Sequence, residues 1–235
     1  MKAKKKPLGI KHKIREERKR EERIGLAVIA TILIAIISVS GFFINSMLNQ
    51  PPTNPTSQTV SSTSEPKVAI VDHLSLTFPN QTFIKTATNI LKQAGYTVDY
   101  YPGEKVTVEF YRNLPTYGYD IIILRVHSAI GKEGGPPVSL FTSEYYSQNR
   151  YVSEQLSDQL TRVHYNIGNE EQLYFGILPN FVRSSMNGKF QNSIIIMMGC
   201  NGLTYLDMAK TFVERGAKVY ISWTDSILAS HTDLA

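Results

Sequence analysis

From Lys67 onward the chain alternates short apolar runs with amphipathic segments. KVAIVDHL (67–74) reads as a buried strand. From Asn80, the residues Phe83, Ala87, Ile90, Leu91 and Ala94 recur at three- and four-residue steps until Gly95, which predicts a helix. YTVDYY (96–101), alternating and aromatic, is the next strand. Residues 104–113 fit a short helix, although KVTVEFY also suits a strand. YDIIILRVHS (119–128) is a third strand, continuously apolar and ending at His127. GKEGGPP (131–137) is a loop, VSLFTSE holds small strands, 151–163 reads as helical, LYFGI as a short strand and PNFVRSSM as a helix.

SIIIMMGC (193–200) is a fully buried strand. The next helix has Thr204 and Asp207 at capping-box spacing, an apolar face of Leu206, Ala209, Phe212 and Val213, and Gly216 at its end. AKVYISW (217–223) is the last strand. Strands separated by helices, apolar without alternation, predict a parallel sheet covered on both faces. The expected fold class is α/β, a three-layer sandwich with a mainly parallel central sheet. Ligands of such sheets collect outside the carboxyl ends of the strands. There is no internal repeat and no Gly-rich phosphate fingerprint.

Composition divides the chain further. Residues 1–23 hold eleven Lys/Arg against four Glu, a net of +7, so the remaining residues, with 14 basic and 16 acidic side chains, are at −2. The basic excess belongs to the tail alone. IGLAVIATILIAIISVSGFFI (24–44) follows it, 21 residues without a charge. A bilayer core of about 30 Å needs about 20 such residues as a helix. That predicts a transmembrane signal anchor over 24–48 ahead of the domain, with the lipid bilayer as a partner through 24–44 rather than nucleic acid. By the positive-inside rule the tail is cytoplasmic and the rest extracytoplasmic, giving a single-pass cell-membrane protein. SVS (38–40) would suit a cleaved signal peptide, but the apolar stretch is long for one. NQPPTNPTSQTVSSTSEP (49–66) reads as a disordered linker, leaving 67–235 as one domain. The closing SHTDLA has the pattern of a helix start, which leaves open a short terminus or a truncated form.

One cysteine excludes an intrachain disulfide. Two apolar strands, IIILRVH and IIIMMGC, end in the residue types of a thiol nucleophile and its base. A thiol with an ordinary pKa near 8.5 needs a neighbouring base or a helix start to become a thiolate. If the strands are neighbours, His127 and Cys200 face each other across the sheet edge. A lone cysteine at a strand end is otherwise an ordinary small core residue.

YDIIILRVHS and SIIIMMGCNGLTYLDMAKTFVERGAKVYISW resemble the two signature blocks of caspase-fold cysteine peptidases. The gingipain and clostripain-like branch is nearest, CHAT-like and separase-type proteases more distant. The resemblance spans roughly 67–233. It implies Cys200 as nucleophile, His127 as general base, and the amides of Ser128 and Cys200 as oxyanion donors. Ser128 stands where the family usually has Gly. Asp72, Trp223 and Asp225 are tentative substrate-binding residues, with turn formation and core packing as their plainer roles. Arg125, inside an apolar strand, must find a partner or reach solvent. His164 and His231 lack metal-ligand spacing, so no metal and no cofactor is expected. The expected function is hydrolysis of a peptide or protein substrate through an acyl-thioester on Cys200. An inactive, membrane-tethered binding or sensor domain is the alternative.

Overall fold

The computed structural model describes residues 65–131, 134–167 and 170–235. The element order is β1 (Lys67–Asp72), α1 (Gln81–Gln93), β2 (Thr97–Pro102), α2 (Val108–Asn113), β3 (Ile121–Arg125), β4 (Ser128–Ala129), β5 (Ser139–Tyr145) and α3 (Val152–Leu156). It continues with β6 (Leu160–Ile167), β7 (Glu170–Ile177), α4 (Pro179–Ser184), β8 (Ile194–Met197), α5 (Asp207–Glu214), β9 (Val219–Ile221) and α6 (Ala229–Thr232). Short 3-10 turns at His73–Leu76, Gly103–Lys105 and Leu114–Tyr117 join them.

Five strands form a parallel sheet in the order β2-β1-β3-β8-β9. β3 and β8 are direct neighbours, with Ile121 opposite Ile194 and Leu124 opposite Met197. The apolar runs become central strands because each residue there is flanked by strands on both sides. Ala69, Val71, Ile122, Leu124, Ile195 and Met197 project from one face into a cluster with Tyr111, Phe181, Val182, Met208 and Phe212. That burial, at about 25 cal/mol per Å² of apolar surface, is the main stabilising contribution.

The three-layer expectation is corrected in its second sheet and in its anchor. β4-β5-β7-β6 form a separate antiparallel sheet, so the domain combines a parallel and an antiparallel sheet rather than one mainly parallel sheet. Residues 151–163 were expected to be helical. The helix ends at Leu156, and β6 starts at Leu160. In β6, Val163 and Tyr165 are buried while Arg162 and His164 are exposed, the period-two signature of a half-buried strand. Cover of the parallel sheet is also uneven: on the outer strand Val219 and Ile221 are exposed, and Ile194 and Ile196 beside them are only half-buried.

Among the described residues, no helix is long and apolar enough to cross a membrane. The predicted anchor, 24–44, lies outside the described residues, as do the basic tail and nearly all of the linker. The expected transmembrane part of the fold, bilayer partner and single-pass cell-membrane orientation are corrected to an α/β domain without a membrane-spanning helix among the described residues.

Local chemistry corrects two details. Thr204 and Asp207 form no capping box. The Thr204 hydroxyl bonds Asn201 and the Thr224 carbonyl, while Asp207 accepts from the Val138 and Met208 amides. α5 buries Met208, Ala209, Thr211 and Phe212, leaving Leu206 and Val213 exposed. Gly216 does end that segment in a left-handed conformation, at φ 100°.

Candidate functional site at the strand ends

β3 stops at Arg125 and β8 at Met197, so His127 and Cys200 lie two and three residues beyond the regular strands. Their segments approach closely at Gly199. A Cβ there would stand 2.3 Å from the Val126 carbonyl oxygen and 2.5 Å from Ser128 Oγ, so only glycine fits. The Ser128 hydroxyl occupies the remaining space and donates to the Cys200 carbonyl at 2.5 Å. Ser128 and Cys200 are thus in contact through a hydroxyl and a carbonyl, not through the amides expected as oxyanion donors.

The thiol and the imidazole border the same cavity but belong to different hydrogen-bond partners. His127 Nε2 shares a 2.8 Å bond with the Thr77 hydroxyl. Cys200 Sγ accepts from the Ile227 amide and donates to the Ile227 carbonyl, each at 3.4 Å. Among the described residues no hydrogen bond joins Cys200 to His127. The expectation of catalysis by a Cys200/His127 dyad is corrected on that geometry, and the expected peptide or protein substrate goes with it. Among the described residues there is also no group of three His, Cys, Asp or Glu side chains placed to hold a metal ion.

The cavity has a volume of about 240 Å³. Its wall is mainly apolar, with Leu74, Phe78, Val126, Met198, Ile227 and Leu228 beside His127 and Cys200. Burial, and secondarily the Arg125 charge, lower the His127 pKa to about 4, so its ring is neutral at pH 7. His73 packs edge-on against it, with ring centroids 5.6 Å apart, and against Tyr165 at 4.9 Å. His73 is fully buried, and burial followed by the neighbouring His127 lowers its pKa to about 3. Neither His73 ring nitrogen meets a partner at hydrogen-bond geometry, although the Thr142 backbone lies near enough to favour the charged form slightly.

The three tentative substrate-binding residues each have partners within the fold. Asp72 is 1% exposed, its carboxylate taken by Arg125 Nη1 at 2.6 Å and the Tyr100 hydroxyl at 3.1 Å. Desolvation raises its pKa above the usual 3.8 in spite of Arg125. Trp223 Nε1 donates to Thr232 Oγ1 at 2.9 Å, and Thr232 donates onward to the Met198 carbonyl at 3.1 Å. Trp223 thereby holds one wall of the cavity in place. Asp225 is exposed and accepts from the Ser226 amide, a turn-forming role.

Sequence reasoning missed the segment around Ile227–Thr232 and the contribution of Thr77 and Phe78. It also left Arg125 without a partner. Arg125 is fully buried and grips Asp233 with Nε at 2.6 Å and Nη2 at 2.7 Å, besides Asp72 and the Phe78 carbonyl at 2.8 Å. The legible signal was the lone charge in an apolar strand, which requires a buried counter-charge.

Neither a family model nor a curated protein matches this chain.

Proposed function

We propose that the domain is a binding module whose strand-end cavity takes a small, mainly apolar ligand. The observation that supports this reading is the cavity itself: an apolar enclosure at the carboxyl ends of neighbouring parallel strands, with polar atoms at few points. In open α/β sheets that edge is where ligands bind. Apolar walls supply contact area, and a few placed polar groups set orientation. Neutral His127 and the Cys200 sulfur supply polar points in that lining. At about 240 Å³, the space is below the ~300–1,000 Å³ of drug-sized pockets and fits a ligand of a few carbons. Common descent of the two strand-end blocks with those of caspase-fold peptidases is part of this proposal. It is supported by the adjacency of β3 and β8, with His127 and Cys200 beyond their ends.

The test is a titration of the full chain with 4-methylpentanamide, read by the fluorescence of Trp223, the only tryptophan. For a probe of eight heavy atoms, saturation on the order of 1 mM is expected. Ala229→Phe, which places a ring into the cavity from α6, should abolish the response. A non-saturating signal, or an equal one in Ala229→Phe, would overturn the proposal.

A further inference from the structure

We infer that Arg125 forms a carboxylate-recognising subsite beside the cavity, occupied in this structure by the chain's own Asp233, and that the preferred ligand is an apolar monocarboxylate. The inference rests on the proposed binding function and adds the ligand's chemical class.

The geometry is that of carboxylate recognition. Nε and Nη2 of Arg125 meet Oδ1 and Oδ2 of Asp233 at 2.6 and 2.7 Å, two parallel charge-assisted bonds. Asn80 Nδ2 adds a third donor to Oδ2 at 2.8 Å, while its own Oδ1 caps α1 through the Phe83 amide. The donors are thus fixed before any carboxylate arrives. Asp72 and the Phe78 carbonyl hold other donors of the guanidinium, from Nη1 and Nη2. The Phe83 ring, 5.7 Å from the guanidinium carbon, covers it.

The two carboxylates on Arg125 differ in how firmly the fold holds them. Asp72 ends a central strand with strands on either side. Asp233 follows the four-residue helix α6, whose packing relies on the Trp223–Thr232–Met198 chain of hydrogen bonds. Asp233 is therefore the exchangeable one. The subsite also adjoins the cavity: Val126 and Thr232, next in sequence to Arg125 and Asp233, both line it, as does Phe78. A ligand with an aliphatic body and a carboxylate head matches the pair of environments. With Asp72 retained on Nη1, an incoming carboxylate restores the two parallel bonds to Nε and Nη2 that Asp233 now makes.

The test compares 4-methylpentanoate with its uncharged amide at pH 7 on the full chain, read by Trp223 fluorescence and by thermal stabilisation. In Asp233→Ala the carboxylate should bind about tenfold or more tighter than the amide, as a charge-assisted hydrogen bond implies. In the unaltered chain the carboxylate should keep a smaller preference over the amide, because it must first displace Asp233 from Arg125. Asp233→Asn keeps the side chain's shape and should show the same preference in smaller degree, which guards against misfolding of the alanine variant. Amide and carboxylate binding equally to both variants would overturn the subsite and leave the apolar cavity standing. A preference of equal size in the unaltered chain would overturn occupation by Asp233. Binding of neither probe would overturn the cavity as well.

Discussion

Two polar groupings share the carboxyl edge of the parallel sheet, and they are built on opposite principles. Around Arg125, every charge has a counter-charge within 2.7 Å and almost no water reaches it. Around His127, a second imidazole, His73, packs edge-on and the Cys200 thiol borders the same cavity, with no hydrogen bond joining the three. The His127 and Cys200 hydrogen bonds go to Thr77 and Ile227, and neither His73 ring nitrogen meets a partner at hydrogen-bond geometry. The Arg125 grouping resembles a functional charge cluster and fastens the C-terminal helix. The His127 grouping is catalytic by residue type, yet its geometry is that of a cavity wall. Residue type at a strand end thus gives position, and partner choice gives chemistry.

The largest effect is expected from breaking the Arg125 grouping. Arg125→Met leaves Asp72 and Asp233 buried without their cation and should cost about 3–5 kcal/mol, measured by urea unfolding of the full chain. A loss below about 1 kcal/mol would mean that the buried pairs are not what secures this edge. Next comes Gly199→Ala. Its Cβ would meet the Val126 carbonyl at 2.3 Å, and since backbone yields little, about 1–3 kcal/mol should be lost in the same measurement.

The His127 grouping should reveal itself through pH. His127 and His73 have folded pKa values lowered to about 4 and about 3 from 6.5, so below pH 6.5 the unfolded chain binds protons that the folded one refuses. Stability is therefore complete above pH 6.5 and falls as the pH drops towards 4, by up to about 1.4 kcal/mol per pH unit for each ring. Asp72, raised from 3.8, acts in the opposite sense in the window just above that value. Urea midpoints at pH 7, 6 and 5 should decline, and His127→Gln should make the decline shallower. The smallest effect is expected from Ser128→Ala, which removes the bond to the Cys200 carbonyl and should cost about 1 kcal/mol.

The same contrast explains what could be read in advance. IIIL and IIIMM announced β3 and β8 because a strand buried on both faces needs no alternation, whereas their adjacency, which the sequence left open, is shown by their pairing. The start of β6 was hidden inside a supposed helix over 151–163, while LYFGI was read as the strand that became the end of β7. LTRVHYNI alternates, but SEQLSDQL before it carries helix formers, and the boundary at Ser157 has no glycine or proline. Thr204 and Asp207 had the spacing of a cap, but Asp207 is drawn to the Val138 amide, 69 residues away. His127 and Cys200 were read as facing each other only if their strands were neighbours; β3 and β8 do pair, and the two residues lie just beyond their ends. Their separate partners were not legible, because Thr77 lies in a turn after β1 and Ile227 in a loop after β9, both far away in sequence. Arg125 declared its need for a counter-ion without naming Asp233.

The most direct measurement of the central claim, that the strand edge binds and does not form a dyad, is the pH dependence of Cys200 modification by a thiol reagent. It should be run on the unaltered chain and on His127→Gln. With the imidazole and the thiol serving separate partners, both proteins should show the same midpoint. A midpoint that rises by a pH unit or more in His127→Gln would show that His127 stabilises the Cys200 thiolate, and would contradict the account.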